Sequence, residues 1–199
     1  MKVNLVMGVT NITSKNIEAF IMDKDIIHVG GGNTKLIIDT WKKTGVDKIM
    51  KKAWEAGIIL SGMSAGAICW FDDGITNPSQ GKLTRLPCLG LLNGSFCPHY
   101  DDRAELKDAF RKLILNGTIE EGYGAEDGAA IHFVGTEPIR VVTSRPGVTA
   151  YKVKKIRNKI SETPMPSIYL GPSSGQPLNF LFMFVIVVAN IMNHTLLVL

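Results

Sequence analysis

The stretch Ser61-Gly62-Met63-Ser64-Ala65-Gly66-Ala67-Ile68-Cys69-Trp70 constrains the fold more than any other part of this chain. The apolar run Gly57-Ile58-Ile59-Leu60 leads into it, and the apolar run Ala67 to Trp70 leaves it. The pattern reads as a strand, a sharp turn and a helix, with Ser64 at the apex. A turn this tight forces unusual backbone angles, so its neighbours must be small, as Gly62, Ala65 and Gly66 are. The geometry lifts the serine hydroxyl clear of a sheet. It also aims the following N–H and the helix N-terminus at any oxyanion that forms there. The segment therefore predicts an α/β fold with nucleophilic chemistry at Ser64.

The rest of the chain agrees with that class. Val3 to Met7 and Asp25 to Val29 read as strands, and Ser14 to Met22 as a helix with Ile17, Phe20 and Ile21 on one face. A helix with Leu36, Ile37 and Trp41 spaced for burial follows the loop Gly30-Gly31-Gly32-Asn33-Thr34. Gly45 to Ala56 is a further helix, and Ala104 to Leu115 is clearly amphipathic. A polar stretch spans 72–87, and Leu89-Gly90-Leu91-Leu92 leads toward Phe96. Gly122 to Val134, Ile139 to Thr143 and Ala150 to Ile156 read as the last strands. Strands alternating with helices predict a doubly wound, mostly parallel, helix-covered sheet in three layers. With 199 residues and 45% hydrophobic content there is material for one domain with a sizeable core.

Composition excludes several classes. The net charge of +4 is mild, and the one basic cluster, Lys152, Lys154, Lys155, Arg157 and Lys159, reads as a solvated edge strand rather than a nucleic-acid surface. Cys69, Cys88 and Cys97 form no C-x-x-C pair, so neither a zinc site nor a disulfide framework is expected, and reduced thiols in a cytoplasm are the simplest reading. The glycine loop 30–33 matches neither a dinucleotide fingerprint nor a P-loop, so no nucleotide cofactor is expected. Its glycines suit a tight turn, or an oxyanion hole in which a backbone N–H approaches the reacting carbonyl closely.

A serine nucleophile needs a base and a group to orient it. His28 and His132 fall inside apolar strand patterns, and His194 lies in an apolar tail. His99, between Pro98 and the polar run Tyr100-Asp101-Asp102-Arg103, is the best candidate base. For the orienting acid, Glu126, Asp72, Asp73 and Asp101 all remain open on spacing alone.

Taken together, His28 to Thr34, Ser61 to Phe71, Cys97-Pro98-His99-Tyr100-Asp101 and Tyr123-Gly124-Ala125-Glu126-Asp127-Gly128-Ala129-Ala130 resemble peptidase family S51, the peptidase E or alpha-aspartyl dipeptidase family. Ala150 to Val153 and Glu162-Thr163-Pro164 resemble its closing segment. The resemblance implies a fold like that of class I glutamine amidotransferases, with serine in place of cysteine. It implies a triad of Ser64, His99 and Glu126, and oxyanion donors in the backbone of Gly31, Gly32 and Ala65. It implies cleavage of small peptides, Asp-Xaa dipeptides above all, without a metal. Arg103 and Lys35 are the cations nearest in sequence that could meet an acidic first residue. Two other readings stand beside it. One is an α/β-hydrolase esterase, which would recruit Asp101 or Asp102 and His132. The other is an inactive remnant of a peptidase.

The chain departs from the family pattern at both ends. It reads as opening about 50 residues late, without the usual strand-helix-strand start, itself some 30 residues or more. Residues 1–171 then make the catalytic domain, and 172–177 a linker. Residues 178–199 carry no Asp, Glu, Lys or Arg and are long enough to span a bilayer as a helix. That tail is expected to project from the domain, as an anchor with the domain on the cytoplasmic side, as a driver of homo-oligomers, or as a segment of altered reading frame.

Overall fold

In the computed structural model, residues 3–6, 17–77, 83–171 and 186–189 are described. Strands β1 (Val3–Val6), β2 (Ile26–Val29) and β3 (Ile59–Gly62) run parallel and adjacent. Helices α1 (Ile17–Met22), α2 (Thr34–Thr44) and α3 (Val46–Glu55) connect and cover them. Local sequence sets these boundaries. The Asn33 side chain caps α2 by accepting the Leu36 N–H. Gly45, at φ 78°, ends α2 in the left-handed conformation that glycine adopts without penalty. Ile38 and Trp41 of α2 and Met50 and Ala53 of α3 are buried against Ile27, Val29 and Leu60 of the sheet.

After β3 come α4 (Ala65–Ile68), then β4 (Phe71–Thr76), β5 (Thr84–Pro87), β6 (Leu92–Cys97), α5 (Ala104–Leu115) and β7 (Gly122–Ala125). The chain closes with β8 (Ala129–Val134), β9 (Glu137–Thr143), β10 (Ala150–Ile156), β11 (Lys159–Pro164), β12 (Ser167–Tyr169) and β13 (Ile186–Ala189). The architecture is α/β, as expected. The single, mostly parallel sheet is not observed: there is a seven-stranded sheet of order β1-β2-β3-β13-β8-β9-β12 and a six-stranded sheet of order β11-β10-β7-β6-β4-β5, both mixed. The cause lies in the second half of the chain. β8 turns into β9 at Gly135 (φ 58°), and β10 into β11 at Arg157 (φ 56°). Connections this short can only join antiparallel strands. The basic cluster lies on this second hairpin. β11 is the edge, and β10, with Lys152, Lys154 and Lys155, is one strand inside it.

The two sheets share one core. Phe71 stacks on Phe96 at 5.2 Å between ring centroids, both on the six-stranded sheet. Phe133 of β8 meets Phe71 and Tyr123 edge-on at 5.8 and 5.5 Å, tying the seven-stranded sheet to the other. A smaller cluster, Ile75, Cys97, Tyr100, Phe110, Ile114, Ile119 and Val153, seats α5 on the six-stranded sheet.

Most of the tail lies outside the described residues. The four residues that are described differ from the expected projecting helix. Ile186–Ala189 form β13, antiparallel to β3 and parallel to β8. Among the described residues no helix is long and apolar enough to cross a membrane.

Candidate active site

Ser64 lies two residues beyond the end of β3, and its backbone sits at φ 50°, ψ −114°. Its neighbours show why the turn demands glycine. A Cβ on Gly62 would lie 2.0 Å from the Gly66 carbonyl oxygen, and one on Gly66 would lie 2.1 Å from the Val29 oxygen and 2.6 Å from the Gly30 oxygen. The loop after β2 is therefore pressed against the turn after β3. The Met63 N–H donates to the Val29 carbonyl at 3.0 Å across the same contact.

His99 sits two residues beyond β6, also with a positive φ, 57°. Among the described residues only Ser64, His99 and Arg157 share this conformation without being glycine. Backbone strain of this kind persists only where the surroundings enforce it. For His99 they include the Tyr100 N–H bonded to the Ala125 carbonyl and a Tyr100 ring packed against Gly124, where a Cβ would come within 2.6 Å of the ring. The Tyr100 hydroxyl donates to Glu162 on β11 at 2.5 Å, and burial together with that carboxylate holds the phenol well above its ordinary pKa.

These two turns meet. Ser64 Oγ lies 3.1 Å from His99 Nε2, and His99 Nδ1 lies 3.2 Å from Asp127 Oδ1. One neutral tautomer satisfies both bonds: the hydroxyl donates to Nε2 and Nδ1–H donates to the carboxylate. Asp127 occupies the turn Glu126–Gly128, where the chain passes from β7 in one sheet to β8 in the other. Its own N–H is held by Asp101 Oδ1 at 2.7 Å. Burial raises the Asp127 pKa, Asp101 and Asp102 add to the rise, and His99 opposes it.

Glu126, the acid that the family resemblance implies, lies one residue away and faces elsewhere. Glu126 accepts the Thr149 N–H at 2.8 Å and the Tyr151 hydroxyl at 3.0 Å, fastening the turn to β10. Asp72 accepts the Gly94 N–H at 2.8 Å, and the buried Asp73 pairs with Arg85 at 2.6 Å. Asp101 supports Asp127 and lies 3.7 Å from Arg145. His132 sits in mid-strand on β8, opposite Arg140, and His28 lies on β2 opposite Ser61. Asp127 lies within the stretch Tyr123 to Ala130, next to Glu126. Adjacent residues in a three-residue turn point in different directions, and no spacing rule tells which one reaches the imidazole.

Gly31 comes close to the serine: a Cβ there would stand 3.5 Å from Ser64 Cβ. Among the described residues, the N–H groups of Gly31, Gly32 and Ala65 donate to no backbone carbonyl. A cavity of about 270 Å³ opens over this region. Gly32, Ser64, Ala65, His99 and Arg103 line it, and Ile68, Ile75, Leu83, Phe96 and Leu106 give it an apolar wall. Lys35 is not among its lining residues and pairs with Asp39 at 2.5 Å on the surface of α2. Among the described residues no cluster of His, Cys, Asp and Glu is arranged to hold a metal ion.

The model of peptidase family S51 matches residues 4–141, well over half of the chain. The chain belongs to this family. It is 46% identical over 158 residues to the uncharacterized peptidase YgaJ of Bacillus subtilis, a match covering 79% of this chain and 68% of that protein. The uncharacterized peptidase Lin0382 of Listeria innocua is 31% identical over 109 residues, covering 52% of each chain. The uncharacterized peptidase Lmo0363 of Listeria monocytogenes is 31% identical over 102 residues, covering 45% of this chain and 46% of that one. The chain thus spans about half the length of the two Listeria relatives. In this S51 chain the matched region contains Ser64, His99 and Asp127 and takes in strands β2 to β8.

Proposed function

We propose that this chain is a serine-type exopeptidase acting on small peptides, with Ser64 as nucleophile, His99 as general base and Asp127 as the acid that orients the imidazole. The observation that carries the reading is the continuous run of bonds from Ser64 Oγ through His99 to Asp127. In this reading His99 Nε2 takes the Ser64 proton as Oγ attacks the scissile carbonyl. The oxyanion draws on the N–H groups of Ala65 and of the Gly31–Gly32 loop, which donate to no backbone carbonyl among the described residues. His99 then returns the proton to the leaving amine, and water repeats the sequence to release the acyl group. Asp127 stabilises the imidazolium formed at each stage. Glu126 keeps the turn in place through Thr149 and Tyr151.

Preference for an acidic first residue, and so for Asp-Xaa dipeptides, follows from the family resemblance. Arg103, which lines the cavity and has no ion pair among the described residues, is the cation suited to a substrate carboxylate. A cavity of about 270 Å³ has room for a ligand of dipeptide size. A fluorophosphonate probe tests the nucleophile. It should label the intact chain at Ser64, while Ser64→Ala should remain folded, take no label and lose hydrolysis by several orders of magnitude. Labelling or turnover that survives in Ser64→Ala would defeat the assignment.

A further inference from the structure

A second serine–histidine pair lies directly beneath the site. His28 and Ser61 are register partners on the parallel strands β2 and β3, and His28 Nδ1 stands 2.9 Å from Ser61 Oγ. Ser61 is buried, and its hydroxyl also reaches the Ile27 carbonyl at 3.3 Å. One arrangement satisfies both bonds: Nδ1–H donates to Ser61 Oγ, and the Ser61 hydroxyl donates to the Ile27 carbonyl. Burial lowers the His28 pKa, in keeping with a neutral imidazole in this role.

The position of the pair matters more than its chemistry. His28 is two residues before Gly30-Gly31-Gly32, and Ser61 is three residues before Ser64. One residue further on, after the Val29–Gly62 pair, one strand runs into the glycine loop and the other into the serine turn. Ties across that junction include the Met63 N–H to the Val29 carbonyl and the close fit of Gly66 under Val29 and Gly30. These are backbone contacts that hold the loop against the turn. The His28–Ser61 bond adds a side-chain tie specific to this register, because a shift of one residue would turn His28 to the opposite face of the sheet.

We propose that His28 and Ser61 form a positioning clamp, setting the glycine loop relative to Ser64 so that the loop N–H groups meet the oxyanion. The proposal rests on the reading of Ser64 as nucleophile. His28 and Ser61 are positioning residues: neither touches substrate, and they act through the loop. The clamp should matter where charge develops on the oxyanion and much less where substrate binds in its ground state.

The test is the rate at which a fluorophosphonate labels Ser64 in the full-length chain, with kcat and KM measured on a dipeptide in parallel. Variants are Ser61→Ala, His28→Phe and His28→Asn. Asn places an N–H at the same number of bonds from the backbone as Nδ1. Ser61→Ala and His28→Phe are expected to slow labelling roughly 5- to 50-fold and to lower kcat while KM stays within about twofold, with circular dichroism unchanged. His28→Asn is expected to recover most of the rate. The double variant Ser61→Ala/His28→Phe should lose no more than the worse single one, since both remove the same bond. Labelling at the wild-type rate in Ser61→Ala overturns the clamp, as does a loss that tracks only the fraction unfolded. If His28→Phe fails to fold, Ser61→Ala and His28→Asn still decide the matter. Absence of label on the wild-type chain would instead defeat the nucleophile reading itself, and the clamp with it.

Discussion

Substituting Asp127 by Asn and, separately, Glu126 by Gln asks which acid of the β7–β8 turn acts on the imidazole. An imidazolium 3.2 Å from a carboxylate gains about 5 kcal/mol at an effective dielectric of about 20. Solvent reduces this, because 16% of the His99 side chain and 31% of the Asp127 side chain are exposed. About half, or 2–3 kcal/mol, should remain in the transition state, which corresponds to roughly 30- to 200-fold in kcat/KM. The Asn amide can also turn its NH2 toward Nδ1 and favour the wrong tautomer, so the loss can reach about 10⁴-fold, the scale of such a change in a serine triad. Glu126→Gln keeps one acceptor for Thr149 N–H or Tyr151 OH and disturbs the other. It should cost about 1–2 kcal/mol of stability and change kcat/KM less than about fivefold in the folded fraction. The assay is dipeptide hydrolysis and fluorophosphonate labelling on the same preparations, with urea unfolding to correct for folded fraction. A larger loss in Glu126→Gln than in Asp127→Asn would refute the reasoning and return the orienting role to Glu126.

Gly66→Ala should lower Tm by about 5–10 °C and abolish labelling, since its Cβ meets two backbone oxygens that cannot move aside. Gly30→Ala, where nothing lies within 4 Å, should leave Tm unchanged, and an equal drop in both would undo the argument. Stability should fall as pH drops below about 6.5, because burial lowers the pKa values of His28 and His132 in the folded state while the unfolded chain still takes up protons at the ordinary value. Urea midpoints at pH 7.5 and 5.5 measure this, and His132→Gln should flatten part of the slope; a slope untouched by that variant would exclude His132 as a source. Arg103→Met should raise KM for Asp-Leu several-fold and leave Ala-Leu unaffected; equal effects on both would separate Arg103 from recognition of an acidic first residue.

Much of the fold and site was legible in one dimension because the relevant forces are local. The serine turn shows in the sequence since Gly62 and Gly66 are required by backbone atoms that approach their Cα positions. Helix α5 was readable to its ends, Ala104 and Leu115, from its apolar stripe alone. His99 stood out as the histidine in a polar turn. The polar strands β4 and β5 were not legible. Asp73 is tolerated in a buried strand only because Arg85 on the neighbouring strand supplies its counter-charge, and that pairing exists only in the folded sheet.

The sequence by itself determined the α/β class, the strained serine apex, the glycine loop after β2, and His99 in a polar turn as the candidate base rather than the histidines of apolar strands. Each of these follows from sterics or periodicity within a short window. Tertiary structure decided the division into two mixed sheets, the place of Ile186–Ala189 between β3 and β8, and the partner of the imidazole. These depend on contacts between residues far apart in the chain. Glu126 and Asp127 show the limit most directly. They are adjacent acids in one turn, and only the packing of that turn, with Thr149 and Tyr151 on one side and His99 and Asp101 on the other, turns one toward β10 and the other toward the imidazole.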